Sequence, residues 1–144
     1  MLQSVDKKTA KSYSSLTLAF LGDSVFEILV RQKIILNGDM KIDKLHSTKV
    51  DIVCAKFQSR VVPHILDLLN EEELSVFKRG RNSKCHAPKN TDIHDYRLAT
   101  GLESLFGYLY LIGNEKRLIE LFSVIWNIYE EDLKSCQDIQ NGTT

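Results

Sequence analysis

Cysteine, proline and a surplus of either charge are all scarce in this chain of 144 residues. Cysteine occurs three times, at Cys54, Cys85 and Cys136, an odd and scattered set with no CxxC pair. That excludes a disulfide scaffold, argues against a structural zinc site, and suits a reducing compartment, so a cytoplasmic location is expected. Only two prolines interrupt the chain, Pro63 and Pro88, and there is no internal repeat or low-complexity linker. One domain accommodates this length. Long hydrophobic runs are missing too. The longest weakly charged stretch, Leu98 to Asn114, is broken by Glu103 and is too short to span a bilayer, so no membrane association is expected. The first residues, Met1 to Lys8, carry charge early with no apolar segment behind them, unlike a secretory signal. Alternating β-branched runs are absent as well, which disfavours sheets.

What is present is helical periodicity. An apolar fraction of 43% is ordinary for a globular protein, and the apolar residues recur at spacings of three and four. The pattern predicts a helix from about Ser15 to Leu36, closed by Asn37-Gly38. A second helical region runs from about Lys41 to Leu69, with a break or kink expected near Pro63. Asn70 followed by three glutamates reads as an N-cap with first-turn acids, opening a helix that fades by Gly80 to Ser83. Residues Asn82 to Thr91 read as a loop. Asp92 or Asp95 caps a helix reaching Ile112, and a last helix covers roughly Asn114 to Lys134. The expected fold class is all-α, with one domain over residues 1–134 and a polar, frayed tail over 135–144.

Formal net charge is zero, yet the charge is unevenly placed. Lys78, Arg79, Arg81, Lys84 and Lys89 fall within twelve residues that contain no acid, whereas the chain from Glu115 onward is acidic on balance. Such a segment suits phosphate binding, and it equally suits a solvated loop.

Two carboxylates are out of place. Asp23 follows Gly22 inside a helix that is apolar nearly all round, as expected at the core or at a subunit interface. Glycine within a helix costs about 1 kcal/mol relative to alanine, so Gly22 implies close approach of another helix. Glu103 is the only charge between Arg97 and Glu115, and its turn neighbours Ala99, Thr100 and Gly107 are all small. A carboxylate buried there needs a partner. Facing helices commonly build carboxylate metal sites, and an oxygen-only set favours Mg²⁺ or Mn²⁺ over zinc. Ion pairs with Arg31 or Arg97 would satisfy the same residues, and spacing leaves both arrangements open.

The segment Leu18-Ala-Phe-Leu-Gly-Asp-Ser-Val-Phe-Glu27 resembles the signature helix of the ribonuclease III family. The resemblance extends to Arg79-Gly-Arg-Asn-Ser-Lys84, to Pro88-Lys-Asn90, and to the stretch from Tyr96 to Tyr110. In order and content these segments are similar to the Mini-ribonuclease III branch, which has the catalytic domain without the double-stranded-RNA-binding domain. The resemblance covers about Leu16 to Trp126. It implies a homodimeric helical endonuclease that cuts double-stranded RNA with Mg²⁺, Mn²⁺ substituting, and leaves 5′-phosphate and 3′-hydroxyl ends. The family's catalytic aspartate and glutamate fall on Asp23 and Glu103, as catalytic and metal-binding residues. Two further family acids are replaced here by Ala19 and Thr100, as in the short branch. Precursor large-subunit ribosomal RNA is the substrate the resemblance implies, with a ribosomal protein beside the cleavage site as a candidate helper.

Arg79, Arg81, Asn82, Lys84 and Lys89 are the expected RNA contacts, because duplex RNA is recognised through phosphates and 2′-hydroxyls. Glu27 and Thr100 stand beside the acid pair, positioned to act on it through water, although Glu27 could simply pair with Arg31 one turn on. His46 is a weaker RNA candidate. Cys85-His86 lacks an orienting acid for nucleophilic chemistry, and the aromatics Phe106, Tyr108, Tyr110, Phe122, Trp126 and Tyr129 have core spacing. The rival function is a catalytically silent module of the same fold that binds RNA or the ribosome. A metal hydrolase of the His-Asp type is disfavoured, since His94-Asp95 lacks supporting histidines.

Overall fold

The computed structural model describes residues 3–84 and 86–142, so Met1, Leu2, Cys85 and the expected tail's Thr143 and Thr144 lie outside the described residues. Every regular element among the described residues is helical: α1 (Lys7–Ser12), α2 (Ser15–Leu36), α3 (Ile42–Val53), α4 (Ala55–Leu66), α5 (Glu71–Arg81), α6 (Ile93–Leu111) and α7 (Glu115–Asn141). The all-α expectation holds. No helix among the described residues is long and apolar enough to cross a membrane.

Short polar side chains start the helices by satisfying orphan N–H groups. Ser14 accepts from the Thr17 amide at 3.1 Å, and Asp92 from the Asp95 amide at 3.0 Å. Asn70 and Glu73 form a reciprocal capping box, with the Asn70 side chain bonded to the Glu73 amide and the Glu73 side chain to the Asn70 amide. Glu73 is buried, but Arg117 from α7 answers it at 2.8 Å.

Three boundaries differ from the sequence expectation. The short α1 was not anticipated. The break in the second region falls at Cys54, whose extended backbone (φ −67°, ψ 152°) ends α3 and opens α4. Pro63 instead lies inside α4, which continues through it to Leu66 although the proline supplies no amide for the Ser59 carbonyl. Finally, α7 does not fray at Lys134. It continues through Asn141, because no glycine or proline interrupts it before Gly142, whose amide bonds the Asp138 carbonyl.

Helix α6 is the centre of the core, buried continuously from Ala99 to Leu109 apart from Glu103, which is only partly covered. It packs most extensively against α2. Phe26 of α2 meets Phe106 of α6 and Phe122 of α7 edge-on, with centroids 5.6 and 6.1 Å away. At the crossing of α2 and α6 the backbones touch. A Cβ on Gly22 would overlap the Glu103 carbonyl, and one on Gly107 would overlap the Leu18 carbonyl. Gly22 therefore has the reason its helical position demanded.

Candidate active site

The glycine contact places the backbone of Glu103 directly against Gly22, the neighbour of Asp23. The two acids line one cleft of about 290 Å³, which also takes in Ala19, Phe20, Gln58 and Thr100. Sequence reasoning picked out both carboxylates, and the fold brings them together.

Their electrostatics match the burial argument. Among the described residues no basic side chain forms an ion pair with either. Burial pushes the Glu103 carboxyl up to about 7, with the Asp23 charge adding to the rise and a hydrogen bond from Gln58 opposing it. Asp23 is also raised, first by partial burial and then by Glu27, against the pull of Lys49. The alternative in which Arg31 or Arg97 neutralises the pair is not what the structure adopts. Arg31 lies 3.6 Å from Glu27, and Lys49, which the sequence did not suggest, lies closer at 3.1 Å. These contacts hold Glu27 below its ordinary value, the Lys49 hydrogen bond most of all.

Thr100 lines the cleft, and its hydroxyl donates to the Tyr96 carbonyl at 2.8 Å. Gln58 was missed. Its signal was available, for it shares the α4 stripe of Val61, Val62 and Ile65 and is the polar residue on that buried face. Its Nε2 donates to Glu103 Oε1 at 3.0 Å and to the Val53 carbonyl at 2.9 Å.

The basic segment lies outside the cleft lining. Arg79 is occupied within the chain, donating to the carbonyls of Lys11 (3.1 Å) and Tyr13 (2.9 Å) across the α1–α2 turn. The Arg81 Nε donates to Asn82 Oδ1 at 3.1 Å, and its guanidinium sits 6.0 Å from the Phe77 ring. Lys84 and Lys89 are exposed in the loop before α6. His46 lines a separate groove between α2 and α3 with Arg31 and Lys49. Phe106, Tyr108, Phe122 and Trp126 are core residues, as their spacing suggested, with Tyr110 and Tyr129 packed against the core.

Among the described residues no group of three or more His, Cys, Asp and Glu side chains gathers as a metal site. The cleft supplies two carboxylates without basic partners and a neighbouring amide. Such a set does not suit zinc. It does fit a hard cation that keeps several waters and takes one or two protein carboxylates.

Residues 16–114 match the family model of the ribonuclease III domain, a span that contains Asp23, Gln58 and Glu103. The chain belongs to the ribonuclease III family. A Mini-ribonuclease 3 from Clostridium tetani is 46% identical over 127 residues, covering 87% of this chain and 84% of that protein. Another, from a Thermoanaerobacter species, is 41% identical over 126 residues, covering 87% and 89%. An X-ray structure of a protein from Fusobacterium nucleatum superposes with a TM-score of 0.74 at 32% identity, covering 79% of this chain and 93% of that one. As a member of this family the chain is an endoribonuclease.

Proposed function

We propose that this endoribonuclease cleaves double-stranded RNA with Mg²⁺, or Mn²⁺ in its place, held by Asp23 and Glu103. The observation that carries the reading is the pair of carboxylates on crossing helices, sharing a cleft with no ion-pair partner among the described residues. A bound divalent cation supplies activation of water and charge stabilisation at the scissile phosphodiester. The chain's own part is to hold two anionic oxygens in place and to keep basic side chains from neutralising them. Cleavage in this mode leaves 5′-phosphate and 3′-hydroxyl ends.

Two copies related by a two-fold would present two clefts, one for each strand. Exposed apolar residues on α2 favour such a dimer: Phe20 is 82% exposed and Ile28 61%. Arg81, Asn82, Lys84 and Lys89 would meet phosphates in this reading, with Arg79 supporting them by anchoring α5 to the α1–α2 turn. Precursor large-subunit ribosomal RNA is the proposed natural substrate, with a ribosomal protein assisting beside the cut.

The test is incubation of the purified chain with long duplex RNA, with and without Mg²⁺, followed by end-group analysis. Asp23→Asn and Glu103→Gln should each abolish cleavage, a loss of at least about a thousandfold, while the fold survives. Near-normal cleavage by either variant would overturn the assignment. No cleavage by the native chain, with duplex RNA still bound, would favour the silent RNA-binding module.

A further inference from the structure

Gln58 is almost completely buried, at 1% exposure, on the stripe of α4 that faces α6. A buried amide needs partners for its two N–H donors and its carbonyl oxygen. Both donors are used. One reaches the Val53 carbonyl at 2.9 Å and the other Glu103 Oε1 at 3.0 Å. Because the Val53 carbonyl can only accept, the orientation of the amide is dictated: nitrogen toward Val53 and Glu103, oxygen away. That oxygen, Oε1, is buried and has no hydrogen-bond partner.

The origin of the arrangement is local. Cys54 interrupts the helix in an extended conformation, so the last carbonyl of α3, on Val53, has no α-helical amide to accept from. Gln58, one turn into α4, fills that need with its side chain and is thereby clamped at one end. Its second N–H is then aimed at Glu103. An apolar residue of the same volume would remove the unsatisfied Gln58 carbonyl but strip the Val53 carbonyl of its donor, exchanging one penalty of about 1–3 kcal/mol for another. What the amide adds in return is a directed donor onto one carboxylate oxygen, while Glu103 Oε2 accepts no hydrogen bond among the described residues.

We infer that Gln58 is a positioning residue of the active site, which uses the α3–α4 break to hold the Glu103 carboxylate in a cation-binding orientation. The inference rests on the reading of the cleft as a cation site.

Mn²⁺ affinity of the RNA-free protein, read by electron paramagnetic resonance, tests it alongside steady-state cleavage. Gln58→Met keeps the volume and removes the donor. It should weaken Mn²⁺ binding about tenfold or more and lower kcat, with KM for duplex RNA held within about twofold. The thermal midpoint should not fall in step, because loss of the donor to Val53 is offset by removal of the unsatisfied Gln58 carbonyl. Gln58→Asn keeps a buried amide that is one methylene too short to span Val53 and Glu103. It should show the same loss of Mn²⁺ affinity, and it substitutes if the Met variant does not fold. Unchanged Mn²⁺ affinity in a folded Gln58 variant, with Asp23→Asn showing a clear loss, would overturn the positioning role alone. Unchanged affinity in Asp23→Asn as well would overturn the cation site on which it rests.

Discussion

Glu103 differs from Glu73, the other glutamate placed in the interior, in having no arginine to answer it. Its folded-state pKa of about 7 lies above the ordinary 4.5. Between those values the folded chain holds a proton that the unfolded chain has released, so stability falls as pH rises. Below about 4.5 the contribution is fully present, and above about 7 it is gone. Thermal midpoints measured in chelator should therefore show the native chain losing ground to Glu103→Gln across this window. Parallel curves would remove the burial argument. The oddity of Glu103 was legible in the sequence, as a lone charge among small and apolar neighbours. Gln58 was not singled out, because an uncharged residue on an apolar stripe leaves no mark in the charge pattern, and its pairing with Glu103 spans 45 positions.

Several helix starts were legible because capping is local chemistry, although the Asp6 cap of the short α1 was passed over. Asn70 with Glu73 is readable from four consecutive residues, and Asp92 likewise announces α6. The α3–α4 break was not legible. Nothing in Val53-Cys54-Ala55 disfavours a helix, and the kinked form is supported by a side chain four residues on and by contacts from α6. Pro63 drew the expected break to itself, yet α4 runs through it to Leu66 at the cost of one backbone hydrogen bond. At the crossing of α2 and α6 propensity and packing point in opposite directions. Gly22→Ala should gain about 1 kcal/mol in helix propensity. The added methyl, however, meets the Glu103 backbone, which has no rotamer to yield. A net destabilisation of roughly 2–3 kcal/mol is expected in urea unfolding. A neutral or stabilised variant would mean that the helices part easily.

For the molecule as a whole, α2 has two apolar faces. One is buried against α6; the other shows Leu16, Phe20, Ile28 and Ile35 to solvent. The sequence expectation for this helix was core or subunit interface; one face lies in the core, and the proposed dimer would cover the other. Phe20→Glu changes a side chain that contributes nothing to the chain's own core, so the helical content should persist while self-association is lost. Sedimentation equilibrium checks this: a native chain at twice the monomer mass and a variant at the monomer mass support the dimer, and a monomeric native chain would end it. The net charge of zero was no guide to nucleic-acid binding, because a chain can be neutral in sum and basic in one loop.

The contact at Gly22 and Gly107 has one more implication. Main chain rests on main chain there, with no side chain interposed, so the offset between the two acid-bearing helices is set by atoms that every sequence shares. Amino-acid changes elsewhere in the interior can alter how firmly the protein holds together without changing the gap between its two acids. Stability and the geometry of the proposed cation site are, to that extent, free to vary independently.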